Sequence, residues 1–116
     1  MDGAAVEIGS DTSYEPDAVV NCGERPDPDA KAVPSPVIVV EVTSPSTGRV
    51  DTVQKLADYF RVPSIQHYLI IDVARRMVVH HRRQDNDTLS TRIAAAGPIV
   101  FDPPGIAIAA EALFED

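Results

Sequence analysis

Val37-Ile38-Val39-Val40-Glu41-Val42-Thr43-Ser44-Pro45 is the stretch on which the reading of this 116-residue chain turns. From Val37 to Thr43 every residue except Glu41 is β-branched, the composition of a strand covered on both faces in the interior of a sheet. Glu41 is the exception that needs an explanation. A carboxylate withdrawn from water is costly unless a cation, hydrogen bonds or a metal compensates it, so the strand predicts a partner for Glu41. Two residues are suited to stand near it: Asp17, in Glu15-Pro16-Asp17-Ala18-Val19-Val20, and Lys55, early in a predicted helix.

The segments on either side of this strand set the architecture. Ser44-Pro45-Ser46-Thr47-Gly48 ends it in a turn, and Asp51-Thr52-Val53-Gln54 has the spacing of a capping box that opens a helix. Val53, Leu56, Ala57 and Phe60 recur at helical spacing as the expected inward stripe, and Val62-Pro63 stops the helix near Arg61. Upstream, Val6 to Ile8 reads as the end of a strand. Ala18 to Asn21 reads as a short strand whose mouth holds Asp17, and residues 23–36 form a loop rich in proline and acids. Downstream, Tyr68 to Asp72 and Met77 to His80 predict an antiparallel hairpin, Gln84 to Thr88 a turn, and Leu89 to Ile93 a further strand. Gly97 to Gly105 reads as a connection, and Ile106 to Phe114 as a strand that finishes in a short helix. The expectation is one α/β domain over residues 1–116, with a mixed central β-sheet flanked by helices.

Composition narrows the class further. A chain that is 44% hydrophobic with no Trp and 5% aromatics builds its core from Val, Ile, Leu and Ala. No apolar run approaches the ~20 residues of a membrane span, and the acidic N-terminus lacks the basic and hydrophobic regions of a signal peptide, so the cytoplasm is the expected location. Cys22 is the only cysteine, which excludes an internal disulfide and a thiolate zinc cluster. The net charge of −8 opposes a polyanionic partner, but residues 1–30 alone carry −7 and the other 86 residues are nearly neutral. Clustered carboxylates can also recruit a divalent cation, which reverses the local sign.

If the strand after Asp17 pairs with the strand of Glu41, the two carboxylates converge on a hard-cation site. Mg²⁺ (or Mn²⁺) takes oxygen ligands and retains waters, so Asp17, Glu41 and a backbone carbonyl, that of Val42, would leave room for a substrate phosphate. Lys55 would position the attacking water and stabilise the charge of the transition state, and Gln54 beside it would orient the same water or contact metal-bound solvent. Each residue also has an ordinary reading: Asp17 as a turn cap, Glu41 as an outward residue of an edge strand, Lys55 as a solvated helix residue. His80 and His81 are consecutive in a strand and point to opposite faces, unlike a ligand pair. Together with Arg75, Arg76, Arg82 and Arg83 they make one candidate basic patch for phosphate contact. Ser44, Ser46 and Thr47 read as turn residues.

Pro16-Asp17-Ala18-Val19-Val20, Val39-Val40-Glu41-Val42-Thr43-Ser44-Pro45-Ser46-Thr47, Asp51, Lys55-Leu56, Tyr59, Val62-Pro63-Ser64 and Tyr68-Leu69-Ile70-Ile71-Asp72 form an ordered series that resembles the Uma-two family of the PD-(D/E)XK nuclease superfamily. The resemblance covers roughly residues 5–115. It implies a restriction-endonuclease-like core, a divalent metal and hydrolysis of DNA phosphodiester bonds. By that likeness Asp17 and Glu41 fall on the metal-binding acids, Thr43 takes the place of the superfamily's strand lysine, and Lys55 supplies the amine from the helix. Gln54 stands where an acid commonly precedes that lysine, and His67 where an acid is also common. The usual N-terminal helix and hairpin ahead of Val6 are expected to be absent. That departure leaves open a second reading, a catalytically silent module of the same fold that works in binding or as a homodimer, because an uncovered sheet face or edge seeks a partner.

Overall fold

The computed structural model describes residues 5–9, 12–21, 35–43 and 52–114. The β-branched run forms β4 (Pro36–Thr43). It is hydrogen-bonded on both sides in a five-stranded mixed sheet with the order β3-β4-β5-β6-β7. The other strands are β3 (Ala18–Asn21), β5 (His67–Asp72), β6 (Met77–Arg83) and β7 (Leu89–Ala94). β4 runs parallel to β5, and the remaining pairs are antiparallel. A parallel pair needs a crossover, and α1 (Thr52–Tyr59) lies within the connection from β4 to β5.

The two faces of the sheet are covered differently. Alternation along the strands sends Val39, Tyr68 and Ile70 to one face, where they pack with Tyr59, Ile65 and Val6 and with the partly buried Leu56 and Phe60. α1 sits on this face beside a small hairpin of β1 (Val6–Glu7) and β2 (Ser13–Tyr14). Ile38, Leu69, Ile71 and Val78 go to the other face and meet Ile99, Phe101, Ala110 and Phe114. These belong to the hairpin of β8 (Pro98–Phe101) and β9 (Ile106–Ala109) and to a short 3₁₀ helix, Ala110–Phe114. The architecture is α/β with a mixed sheet, as expected, but among the described residues a single α-helix covers one face and a β-hairpin does the work of a helix on the other. Among the described residues no helix is long and apolar enough to cross a membrane.

Three local expectations are corrected. Gly97 to Gly105 is not a plain connection, because Pro98–Phe101 pairs with Ile106–Ala109. Gly105, at φ 106°, closes that hairpin by donating its amide to the Phe101 carbonyl at 2.7 Å. The helix ends at Tyr59, before the proline signal. Its inward residues are Leu56, Tyr59 and Phe60, whereas Val53 and Ala57 are exposed and border an open groove of about 310 Å³ shared with the turn at residues 85–89. The stripe was shifted because Tyr59, a large side chain, takes the deepest position. The expected turn at 44–48, the Asp51 cap, most of the loop at 23–36 and Cys22 lie outside the described residues.

Candidate catalytic centre

The register of β3 against β4 determines where Asp17 falls. Ala18 pairs with Val40, so continuing the antiparallel register by one residue brings Asp17 level with Glu41. Asp17 lies outside the strand proper, and its side chain takes over the ladder: Oδ2 accepts the Val42 amide at 2.7 Å. In an antiparallel strand the N–H and C=O of one residue project to the same side, so the Val42 carbonyl faces the side that Asp17 occupies. Asp17 is exposed to solvent there, and its Oδ1 takes no part in that bond.

Glu41 is only 9% exposed and lies on the helix-covered face. Its partners come from two different elements. Lys55, in the first turn of α1, places Nζ 3.0 Å from Glu41 Oε1. Tyr68, diagonally across β5, donates its hydroxyl to Oε2 at 2.9 Å. A carboxylate held at both oxygens has a fixed orientation, and these charge-assisted bonds are the strong kind. Burial first, then the charge of Glu41, holds the Tyr68 phenol far above its ordinary range, so it remains a donor.

The three tyrosines of the chain all gather at this point. The Tyr59 ring lies between Tyr14 (centroids 5.3 Å apart) and Tyr68 (5.0 Å). Lys55 Nζ sits 5.5 Å above the centre of the Tyr14 ring, and the Tyr14 hydroxyl donates to Asp58 Oδ2 at 2.6 Å, which ties the β1–β2 hairpin to α1. Tyr59 is fully buried, and its hydroxyl has no hydrogen-bond partner among the described residues. Burial, followed by Glu41, Tyr14 and Asp17, pushes its ionisation far up.

Of the residues singled out from the sequence, Glu41 and Lys55 are in direct contact, and Asp17 and Val42 are joined beside them. Gln54 is exposed on α1, and among the described residues no hydrogen bond connects it to the others. The tyrosines were not foreseen as site residues. Tyr59 had a signal, since it lies four residues after Lys55 on the same helix face. Tyr68 had none, because its contact follows from the pairing of β4 with β5.

The basic patch is corrected. Arg75 bonds Asp72 and Arg76 bonds the Phe114 carbonyl, both at one end of β6. At the other end Arg82 reaches the Asp102 carbonyl, and Arg83 bridges the carbonyls of Phe60, Val62 and Ile65. The four guanidinium groups serve as separate structural ties. His80 and His81 do point to opposite faces. His81 Nδ1 meets Thr91 Oγ1 at 2.8 Å, while His80 Nε2 lies 2.9 Å from His67 Nδ1 within the other core.

Among the described residues no group of three or more His, Cys, Asp or Glu side chains is arranged to hold a metal ion. The oxygens on hand are the carboxylates of Asp17 and Glu41 and the carbonyl of Val42, a hard donor set that suits a cation retaining much of its own hydration. Lys55 is the ammonium in contact with one of these carboxylates. Residues 2–111 match the model of the Uma2 family, described as "Putative restriction endonuclease". An uncharacterized protein, slr1290, of Synechocystis sp. (strain ATCC 27184 / PCC 6803 / Kazusa) is 28% identical over 125 aligned positions, which take in 98% of this chain and 66% of that protein. The chain therefore spans just under two thirds of the length of this relative. With a family match over nearly its whole length, the chain belongs to the Uma2 family.

Proposed function

We propose that this chain is a metal-dependent endonuclease domain that hydrolyses DNA phosphodiester bonds. Asp17, Glu41 and the Val42 carbonyl hold Mg²⁺ or Mn²⁺, and Lys55 serves the reacting phosphate. The observation that carries this reading is the 3.0 Å contact of Lys55 with an almost buried Glu41, level with Asp17 just ahead of the neighbouring strand. A cation held by these oxygens would supply positive charge against the phosphate and Lewis acidity toward water. Lys55 donates to the attacking water or to a non-bridging oxygen and offsets the charge that builds up on it. Tyr68 keeps Glu41 oriented while Lys55 turns toward substrate, and the exposed Gln54 reaches site solvent from the same helix.

Isothermal titration with Mn²⁺ and Mg²⁺ tests the centre. The wild type should bind, and Asp17→Ala and Glu41→Ala should each abolish binding. Plasmid nicking should require metal and be lost in Lys55→Ala. Unchanged binding in both acid variants overturns the proposal.

The edge strand β7 favours a second reading, a silent module that assembles as a homodimer. Five of its six residues are exposed, and Ile93, 62% exposed, faces out beside a strand edge that no strand among the described residues pairs. A tight dimer by sedimentation, with no nicking at any metal concentration, would select it.

A further inference from the structure

Tyr59 presents a physical contradiction. It is 0% exposed, yet its hydroxyl has no protein partner among the described residues. A hydroxyl that leaves water without a replacement bond bears its full desolvation cost, and folded proteins almost always satisfy such groups. A phenylalanine would fill the stack between Tyr14 and Tyr68 equally well, so packing does not account for the oxygen.

The surroundings of the hydroxyl show what it could bind. The Tyr59 ring packs between Tyr68, whose hydroxyl is on Glu41, and Tyr14, whose ring lies under the Lys55 ammonium, so it adjoins the Glu41–Lys55 pair, and the charges of Glu41 and Asp17 both bear on its phenol. Glu41 Oε1 takes Lys55 and Oε2 takes Tyr68, and each carboxylate oxygen keeps a second lone pair. A phenol that keeps its proton cannot be satisfied by donating to nothing, and the acids can only accept. The species that accepts from the first and donates to the second is water, which commonly fills such enclosed polar sites. A phosphate oxygen does not fit, because it cannot donate to a carboxylate.

We propose that Tyr59 is a positioning residue of the acid centre: its hydroxyl donates to an enclosed water that donates in turn to a carboxylate oxygen of Glu41 or Asp17. The bridge links α1, which carries Lys55, to the strands that carry the acids, and so fixes their mutual placement. Its effect on cation binding rests on the metal reading above; the water site itself does not.

Tyr59→Phe tests the inference on the full chain. High-resolution crystal structures of wild type and variant should show ordered solvent about 2.6–3.2 Å from Tyr59 Oη and within reach of an acid oxygen, lost in the variant. Mn²⁺ affinity by titration should fall by about tenfold or more, the size expected for removing an outer partner of a ligand, while the variant stays folded. A wild-type structure without that solvent overturns the inference. So does a variant that gains thermal stability and binds Mn²⁺ as the wild type does, for that is the behaviour of a merely unsatisfied hydroxyl. If the wild type binds no Mn²⁺, the metal reading falls and the solvent position alone decides for or against the water bridge.

Discussion

Asp17 Oδ2 and the Val42 amide lie 2.7 Å apart, so a side chain completes the β3–β4 ladder where the backbone of β3 has stopped. In the proposed centre one carboxylate therefore has both a structural task and a chemical one. The two separate on substitution. Asp17→Asn keeps an acceptor oxygen for Val42 and should hold stability to within about 0.5 kcal/mol, whereas Asp17→Ala should lose about 1 kcal/mol. Both should lose cation affinity. Urea denaturation beside metal titration reads the two effects independently, and an equal loss of stability in both variants would contradict the assignment.

Glu41 is held between an ammonium and a phenol. Lys55→Met leaves the carboxylate nearly buried with one donor fewer, but Lys55 is itself 29% exposed, so the cost lies below that of a fully buried pair, at about 1–3 kcal/mol. A cycle of Lys55→Met with Glu41→Gln should return a coupling of about 1–2 kcal/mol. Tyr68→Phe should cost a similar amount by itself, since it removes a bond to a charged group. Additive effects from Lys55 and Glu41 would mean that the contact contributes nothing to stability.

Arg83 gathers the loop after α1 through three carbonyls and lies over the Phe60 ring, 5.1 Å from its centre. Arg83→Ala should destabilise by about 2–3 kcal/mol. Arg83→Lys should recover little of this, because a point donor cannot span the same fork. Thermal melts of the two variants provide the comparison, and a lysine variant as stable as wild type would refute the multidentate role.

On the opposite face, His67 Nε2 lies 2.7 Å from the Pro103 carbonyl and must donate to it. Its Nδ1 is then an acceptor, and His80 Nε2–H fills it. Burial first, then His67 and the nearby Arg82, His81 and Arg92, pulls His80 down from 6.5 to about 4. Burial also lowers His67, opposed by the Pro103 carbonyl. Between those values the unfolded chain takes up a proton that the folded chain refuses, so stability is complete above about pH 6.5 and drains as the pH falls toward 4. For His80 the loss between pH 7.5 and 5 should be about 2 kcal/mol. Urea midpoints at pH 7.5, 6 and 5 should show it, and His80→Gln should flatten the slope. A wild type with constant stability across this range would rule the pair out as its source.

The run around Glu41 disclosed its strand, its burial and its need for a partner, because each follows from side-chain chemistry within a few residues. Lys55 was readable for the same reason, on a helix announced by local spacing. Tyr68 was not. Its approach to Glu41 depends on the register of two parallel strands separated by residues 44–66, and no local pattern encodes that offset. The arginines misled in the opposite direction. Adjacent in the chain, they suggest one charged surface, but a strand carries Arg75–Arg76 and Arg82–Arg83 to its two ends, where the Asp72 carboxylate holds Arg75 and backbone carbonyls hold the other three.

The order of pairing in the sheet has a kinetic consequence. β5, β6 and β7 are sequential neighbours joined by short turns, whereas β4 meets β5 only after a long stretch of chain has closed. Closure entropy grows with contour length, so the three-stranded meander is the natural scaffold on which β3 and β4 dock late. Amides of β5 and β6 should accordingly outlast those of β3 and β4 in hydrogen exchange. Glu41 rides on β4 and Asp17 stands at the mouth of β3, so partial opening under mild denaturant should separate the two acids of the proposed centre while most of the sheet is still standing.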